Sequence, residues 1–464
     1  MGKYFGTDGI RGVAGEKLNA ELAFKIGRAA ATVLLQAQKQ QASSNSAKRA
    51  WSNTVKPHVM IGRDTRISCD MLESALTAGL CSAGADVTLL GVLPTPAIAH
   101  LTKTTESDMG VVISASHNTF EHNGIKMFGG DGHKLNDELE EYIEKLIDDD
   151  SEINKVTGGD IGRITGEQSE WRSEYVKFLV RASTSARYEG RIAIDCANGA
   201  ASETARLLFR KLHAEFEIFG DEPDGININE NCGSMHLNYM SDMMKTGRFG
   251  IGIAFDGDAD RCLLVDEKGN AVDGDMMLAV LALDMKESET LVGGGFVGTV
   301  VSNAGMDVFA KKHGLKFYRA DVGDKNVLEM MKEKGCNLGG ESSGHVILSD
   351  YATTGDGQLT ALKFLDVLTN SGKTVSELVK DIPRFPQVMP SFKLTGGAEQ
   401  RDNILESPVL EEAIKKHEAR LEGNGRIFIR PSGTEPIIRV LVEAETEALS
   451  TEIAEDILDV MVTL

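Results

Sequence analysis

The sequence predicts an α/β fold repeated along the chain and closed by a smaller α+β domain, and three observations carry that expectation. Short apolar runs alternate with longer stretches of helical periodicity: Val59 to Gly62, Val87 to Leu90, Gly110 to Ser114, Arg191 to Asp195, Gly250 to Phe255 and Val346 to Leu348. Strands spaced by helices in this way build mixed or parallel sheets. Towards the C-terminus the pattern changes. Arg426 to Arg430 and Ile437 to Glu443 are strand-like runs joined by a Pro/Gly turn, which reads as a hairpin. Finally, 464 residues, 41% of them hydrophobic, amount to about three or four domains of ordinary size.

Breaks near 162–166, 266–274 and 383–391 divide the chain into domains at 1–166, 167–270, 271–386 and 387–464. Gln36 to Lys56, rich in Gln, Ser, Ala and Lys, reads as a helix tail running into a flexible surface loop.

The net charge of -21 and the lack of any basic block argue against nucleic acid or anionic membrane as partners. An acidic chain that binds an anion must do so through local Arg or Lys, backbone amides or a metal. The six cysteines are scattered, without zinc-finger spacing, and suit reduced thiols. No apolar stretch follows the N-terminus, and no segment approaches the length of a membrane span. A cytoplasmic protein is expected.

Chemistry is expected where strands end. Gly110 to Ser114 is an apolar strand that runs into Ala115-Ser116-His117-Asn118, and open α/β sheets carry their reactive groups at such carboxyl edges. The Ser116 hydroxyl could attack a phosphoryl group if a base or metal eases loss of its proton. A plain Ser/Asn turn is the alternative.

Asp256-Gly257-Asp258-Ala259-Asp260-Arg261 is more informative. Three carboxylates at alternate positions of a tight turn converge on one point, which a hard divalent cation neutralises. Glu267 at the twelfth position mimics an EF-hand calcium loop. Arg261, however, replaces the glycine that such a loop needs, and the flanks are strands rather than long helices. Mg²⁺ between two strands is the better reading, and it suits phosphoryl transfer.

Two further loops look built for ligands. Arg430-Pro431-Ser432-Gly433-Thr434-Glu435-Pro436, with Arg439 just inside the return strand, offers amides, hydroxyls and two guanidinium groups to an anion. Gly339-Gly340-Glu341-Ser342-Ser343-Gly344-His345 reads as a glycine-rich loop ahead of a strand, with groups that match sugar hydroxyls. Gly293 to Gly298 obeys G-x-G-x-x-G, and Ser371-Gly372-Lys373-Thr374 faintly imitates a P-loop. The strand before the first is too short and the second lacks its upstream glycine, so neither is read as a nucleotide site.

The order of nucleophile, metal loop, sugar loop and phosphate loop resembles the α-D-phosphohexomutases over essentially the whole chain. Tyr4 to Gly12, Val322-Gly323-Asp324-Lys325, and Asn227-Ile228-Asn229 with Cys232-Gly233-Ser234 are similar to the bacterial branch that acts on glucosamine phosphates. That resemblance implies four domains, three of them related α/β units and the last α+β with a small antiparallel sheet.

It also implies interconversion of glucosamine 6-phosphate and glucosamine 1-phosphate, a step towards UDP-N-acetylglucosamine and cell-wall precursors. Ser116 would be carried as a phosphoserine and would bind one Mg²⁺ together with Asp256, Asp258 and Asp260. A sugar 1,6-bisphosphate would be intermediate and activator, and the assembly a homodimer. Glu341 and Ser343 match sugar ligands; Arg430, Ser432, Gly433, Thr434 and Arg439 match a distal phosphate site. Arg11, His117, Lys126 and His345 are further candidate catalytic residues, with Lys126 or His345 as the acid/base. Thr119, Lys325 and Ser342 depart from the usual Pro, Arg and Gln of the pattern, and Lys325 gives up the planar fork that grips phosphate.

Overall fold

In the computed structural model the described residues are 2–6, 8–43, 56–166, 168–184, 188–422, 424–432 and 436–464. They form three α/β units with mixed sheets and a C-terminal unit with a small antiparallel sheet, as the sequence predicts.

The first sheet contains β1 (Phe5–Gly6), β2 (Gly9–Val13), β3 (His58–Arg63), β4 (Asp86–Val92), β5 (Met109–Ile113), β6 (His122–Gly129) and β7 (Ile164–Thr165), in the order β1-β2-β6-β5-β3-β4-β7. The second contains β8 (Arg191–Asp195), β9 (Glu215–Phe219), β10 (Ile251–Phe255), β11 (Cys262–Val265) and β12 (Ala271–Val272), ordered β12-β11-β10-β8-β9. The third orders β13 (Gly295–Thr299), β14 (Lys316–Ala320), β15 (Leu338–Gly340) and β16 (Val346–Leu348) as β14-β13-β15-β16. In the last, β20 (Ile437–Glu443) pairs antiparallel with β17 (Gln387–Val388), β18 (Ser391–Lys393) and β19 (Arg426–Pro431).

One device recurs in the first three sheets. A buried strand with a parallel neighbour turns back into an antiparallel one: β5 into β6, β10 into β11, β15 into β16. Met109–Ile113 and Ile251–Phe255 are buried along their whole length, which is why they read as unbroken apolar runs rather than alternating ones.

Helices begin and end where side chains satisfy their free backbone groups. Asn136 accepts from Leu139 N to open helix Asp137–Asp148, and Asp356 accepts from Leu359 N to open Gly357–Ser371. Gly372, in the left-handed region, closes the latter. Helix Ala20–Ser43 takes in the first part of the Gln36–Lys56 segment, and residues 44–55 lie outside the described residues.

The Gly293–Gly298 run is no phosphate-binding loop. Gly295 to Gly298 lie within β13, so no loop is left to wrap a pyrophosphate at a helix N-terminus.

The cores divide unequally. Met60, Val112, Tyr175, Ile194, Phe255, Phe296 and Phe364 belong to one apolar cluster that runs through the first three units. Ile404, Ile438, Val440, Ile453 and Ile457 form a separate cluster in the fourth. Separate cores allow units to move as bodies.

Candidate active site

The three motifs that stood apart in the sequence occupy the same place in three related units, the turn between a parallel strand and its antiparallel return. Ser116 follows β5, the aspartates follow β10 and Glu341 follows β15. Topology therefore brings them together: Ser116 meets Asp256, and Arg261 lies between the aspartates and Glu341.

Ser116 sits at φ 53° and Ala259, in the aspartate loop, at φ 54°. The left-handed region costs a residue with a side chain about 1–2 kcal/mol, so packing and hydrogen bonds must hold both turns. The Ser116 hydroxyl is buried and donates to Asp256 Oδ2 at 2.7 Å. Its backbone N–H donates to Ser114 Oγ at 2.9 Å. Gly257 is needed for the close approach, because a Cβ there would lie 2.6 Å from the Ser116 carbonyl oxygen. His117 Nδ1 is 3.5 Å from Ser116 Oγ. Burial, then Arg261 and Arg11, pull this imidazole down to about 4, so it is neutral at pH 7.

Asp256, Asp258 and Asp260 are buried and offer carboxylate oxygens within 4.8 Å of one another. Asp258 Oδ2 accepts from Thr95 Oγ1 at 2.7 Å and from Lys126 Nζ at 3.0 Å. Asp258 Oδ1 and Asp260 Oδ1 are buried with no protein donor. Buried carboxylate oxygens left unpaired are costly, and a hard divalent cation satisfies several at once. The donor set fits Mg²⁺.

Lys126 is enclosed by carboxylates: Asp258 at 3.0 Å, Asp8 at 3.1 Å and Asp260 at 3.7 Å. Burial pulls its ammonium down, yet Asp258, Asp8 and Asp260 together outweigh burial and hold it above the usual lysine range. It is a fixed cation. Arg11, on β2 opposite Gly124, pairs with Asp8 and leaves its buried Nε without a partner. Arg261 Nε lies 3.7 Å from Asp260 Oδ1.

The charges close into a ring that spans three units. Lys134 Nζ meets Asp8 at 2.5 Å and Asp324 at 2.6 Å. Asp8 meets Lys126, Lys126 meets Asp260, and Asp260 Oδ2 is 3.5 Å from His345 Nδ1. His345 Nε2 is 3.7 Å from Asp324 and accepts the Gly355 N–H at 3.1 Å. Burial lowers the imidazole while Asp260, with Asp324 and Glu341, raises it more. The Gly355 amide proton aimed at Nε2 opposes a second ring proton.

Glu341 accepts from Gly323 N at 2.9 Å and from Ser343 Oγ at 3.2 Å. The loop around it is shorter than its glycines suggest. Gly339 and Gly340 belong to β15, where a Cβ at Gly339 would run into the Met331 and Val327 side chains and one at Gly340 into the His345–Val346 backbone. Ser342 meets its neighbours through its carbonyl, which accepts from Gly274 N. Lys325 pairs with Asp137 across the cleft.

In the fourth unit Arg430 and Arg439 stand directly opposite each other on β19 and β20. Facing like charges are unfavourable unless an anion lies between them. Burial and then Arg439 lower the Arg430 guanidinium, with Asp321 of the third unit opposing. Ser432 N donates to Ile437 O at 2.9 Å. Gly433 and Thr434 lie outside the described residues.

Sequence reasoning passed over Lys134 and Arg66. Nothing around Lys134 signals its role. Arg66 did carry a signal, since Asp64-Thr65-Arg66 follows β3 at the same kind of carboxyl edge that singled out Ser116.

With the fold and cleft in place, comparison with known proteins is decisive. Residues 2–154, 173–269, 273–385 and 393–460 match, in order, the α/β/α domains I, II and III and the C-terminal domain of phosphoglucomutase/phosphomannomutase. The chain belongs to that family of phosphohexomutase isomerases. Its place within the family is the phosphoglucosamine mutase branch. The phosphoglucosamine mutase of Caldicellulosiruptor saccharolyticus is 48% identical over 96% of this chain and 95% of its own. Among solved structures, a phosphoglucomutase/phosphomannomutase family protein of Burkholderia thailandensis superposes with TM-score 0.78 at 24% identity, over 98% of this chain and 97% of that one. The Aspergillus fumigatus N-acetylphosphoglucosamine mutase, in complex with GlcNAc-6P and magnesium, has TM-score 0.61 at 18% identity, over 79% of this chain and 91% of its own. No helix among the described residues is long and apolar enough to cross a membrane.

Proposed function

We propose that the protein interconverts glucosamine 6-phosphate and glucosamine 1-phosphate through a phosphoserine at Ser116 and a sugar 1,6-bisphosphate, supplying precursors of UDP-N-acetylglucosamine. The observation that carries the mechanism is the Ser116 hydroxyl, 2.7 Å from Asp256 in a turn that faces a buried carboxylate trio.

In the first half-reaction the bond from phosphorus to Ser116 Oγ breaks and the bond to the sugar oxygen forms. The proton of the sugar hydroxyl passes to Ser116 Oγ through groups of the cleft. The bisphosphate then presents its other phosphate to Ser116 and the same step runs in reverse. Asp256, Asp258, Asp260 and the Ser116 oxygen would hold Mg²⁺, which offsets charge on the transferring group when bound. Lys126, kept an ammonium by its three carboxylates, acts as a fixed cation rather than a base. His345, through Nδ1, orients Asp260.

Glu341 and Ser343 take sugar hydroxyls, while Arg430, Ser432 and Arg439, with Gly433 and Thr434, hold the phosphate not being transferred. Arg439→Ala is expected to raise KM about tenfold or more, since a hydrogen bond to a charged group contributes about 1.5–3 kcal/mol. The phosphoserine content of the resting enzyme should not change.

The substrate is tested by kcat/KM for glucosamine, glucose and mannose 6-phosphates. Glucosamine is expected to lead, and a clear preference for a neutral sugar would overturn the assignment.

A further inference from the structure

Arg66 is fully buried and takes no part in the chemistry above. Its Nε meets Asp64 Oδ2 at 2.8 Å, the partner that balances its charge. One terminal nitrogen donates to the carbonyl oxygens of Ser116 and Asn118, both at 2.9 Å. The other donates to those of His122, at 3.1 Å, and Thr119.

From the domain II match, Asn229 reaches the same two oxygens. Its Nδ2 donates to Ser116 O at 3.0 Å and to Asn118 O at 2.9 Å. A carbonyl oxygen has two lone pairs, so both carbonyls are saturated by this pair of side chains. The other side of the Ser116 peptide is tied to the same group, because Ser116 N–H donates to Ser114 Oγ, which donates to Asp64 Oδ2 at 2.7 Å. An apolar filling would serve stability as well; a saturated polar network selects one geometry.

We infer that Arg66 and Asn229 are positioning residues for Ser116, holding its loop from two domains in the conformation that aims Oγ at the three aspartates. The inference rests on Ser116 being the phosphoryl carrier.

Arg66→Lys keeps the charge and loses the fork, and Asn229→Ala removes the second hold together with its amide, at a left-handed position (φ 59°). Each is assayed for kcat and KM separately, for Tm, and for the lifetime of phosphate on Ser116 by intact mass in the absence of substrate. Misplacement of reacting groups by about 1 Å costs about a hundredfold, so kcat should fall about tenfold in Asn229→Ala and about a hundredfold in Arg66→Lys, with KM within about twofold. The phosphoserine should also decay several-fold faster. If Arg66→Lys fails to fold, Asn229→Ala still decides. A lower Tm with wild-type kcat and phosphate lifetime in the folded fraction would overturn the positioning role. Wild-type enzyme without phosphate on Ser116 would instead remove the carrier reading beneath it.

Discussion

Ser116→Ala is expected to lower kcat by about 10⁴-fold or more, as loss of a covalent nucleophile does in other enzymes. The fold should survive. The hydroxyl makes one short hydrogen bond, to the Asp256 carboxylate, so its removal should cost about 1.5–3 kcal/mol. Intact mass should show one phosphate on purified wild-type protein and none on the variant. Substantial activity in Ser116→Ala, or phosphate at another residue, would defeat the mechanism. Because the unmodified hydroxyl has nothing to donate, dephosphorylated wild-type enzyme should behave like the variant until a sugar bisphosphate restores it.

Asp258→Asn is expected to have the next largest effect, a fall in kcat of about a hundredfold to a thousandfold, the scale of removing one preorganised electrostatic partner. The direction follows from how this carboxylate is used. Thr95 and Lys126 both donate to Oδ2, so the amide oxygen of asparagine must take that place. The amide NH₂ then points where Oδ1 stood, offering hydrogen where a cation needs oxygen. Mg²⁺ should raise the Tm of the wild-type protein by mass action and leave that of Asp258→Asn unmoved. An equal rise in both would place the ion elsewhere. Chelation should abolish wild-type turnover, and added Mg²⁺ should restore it.

Much of this fold was legible because its strands are unusually plain. β5 and β10 are covered on both faces and so appear as continuous apolar runs, and each ends on the motif it carries. The alternate aspartates after β10 could be read because their spacing alone forces convergence. Arg66 and Asn229 could not be read in the same way. Beyond the Asp64 that balances Arg66, the partners that link the two to Ser116 are backbone carbonyls, which leave no mark on a sequence, and the two lie far apart along the chain. Lys134 is hidden for a related reason, since it meets Asp324 only when two units assemble. Gly339 and Gly340 misled because glycine marks a turn and a close approach equally well; β15 needed the second, against helix side chains at Gly339 and strand backbone at Gly340.

The hairpin of the fourth unit has a base and a tip with different attachments. At the base, Arg426 and Glu443 are cross-strand partners. Glu443 accepts the Ala304 N–H at 3.0 Å, and Arg426 donates to Ser302 O at 2.6 Å. At the tip stand Arg430 and Arg439. Arg430 lies four residues along the strand from Arg426, about 13 Å at strand rise. Such an arm multiplies small rotations: about 10° at the base carries the guanidinium groups about 2 Å, the difference between a hydrogen bond and none. Glu443 ties the base of this arm to Ala304 and Arg426, so substitutions there should be felt as lost phosphate affinity rather than as lost chemistry.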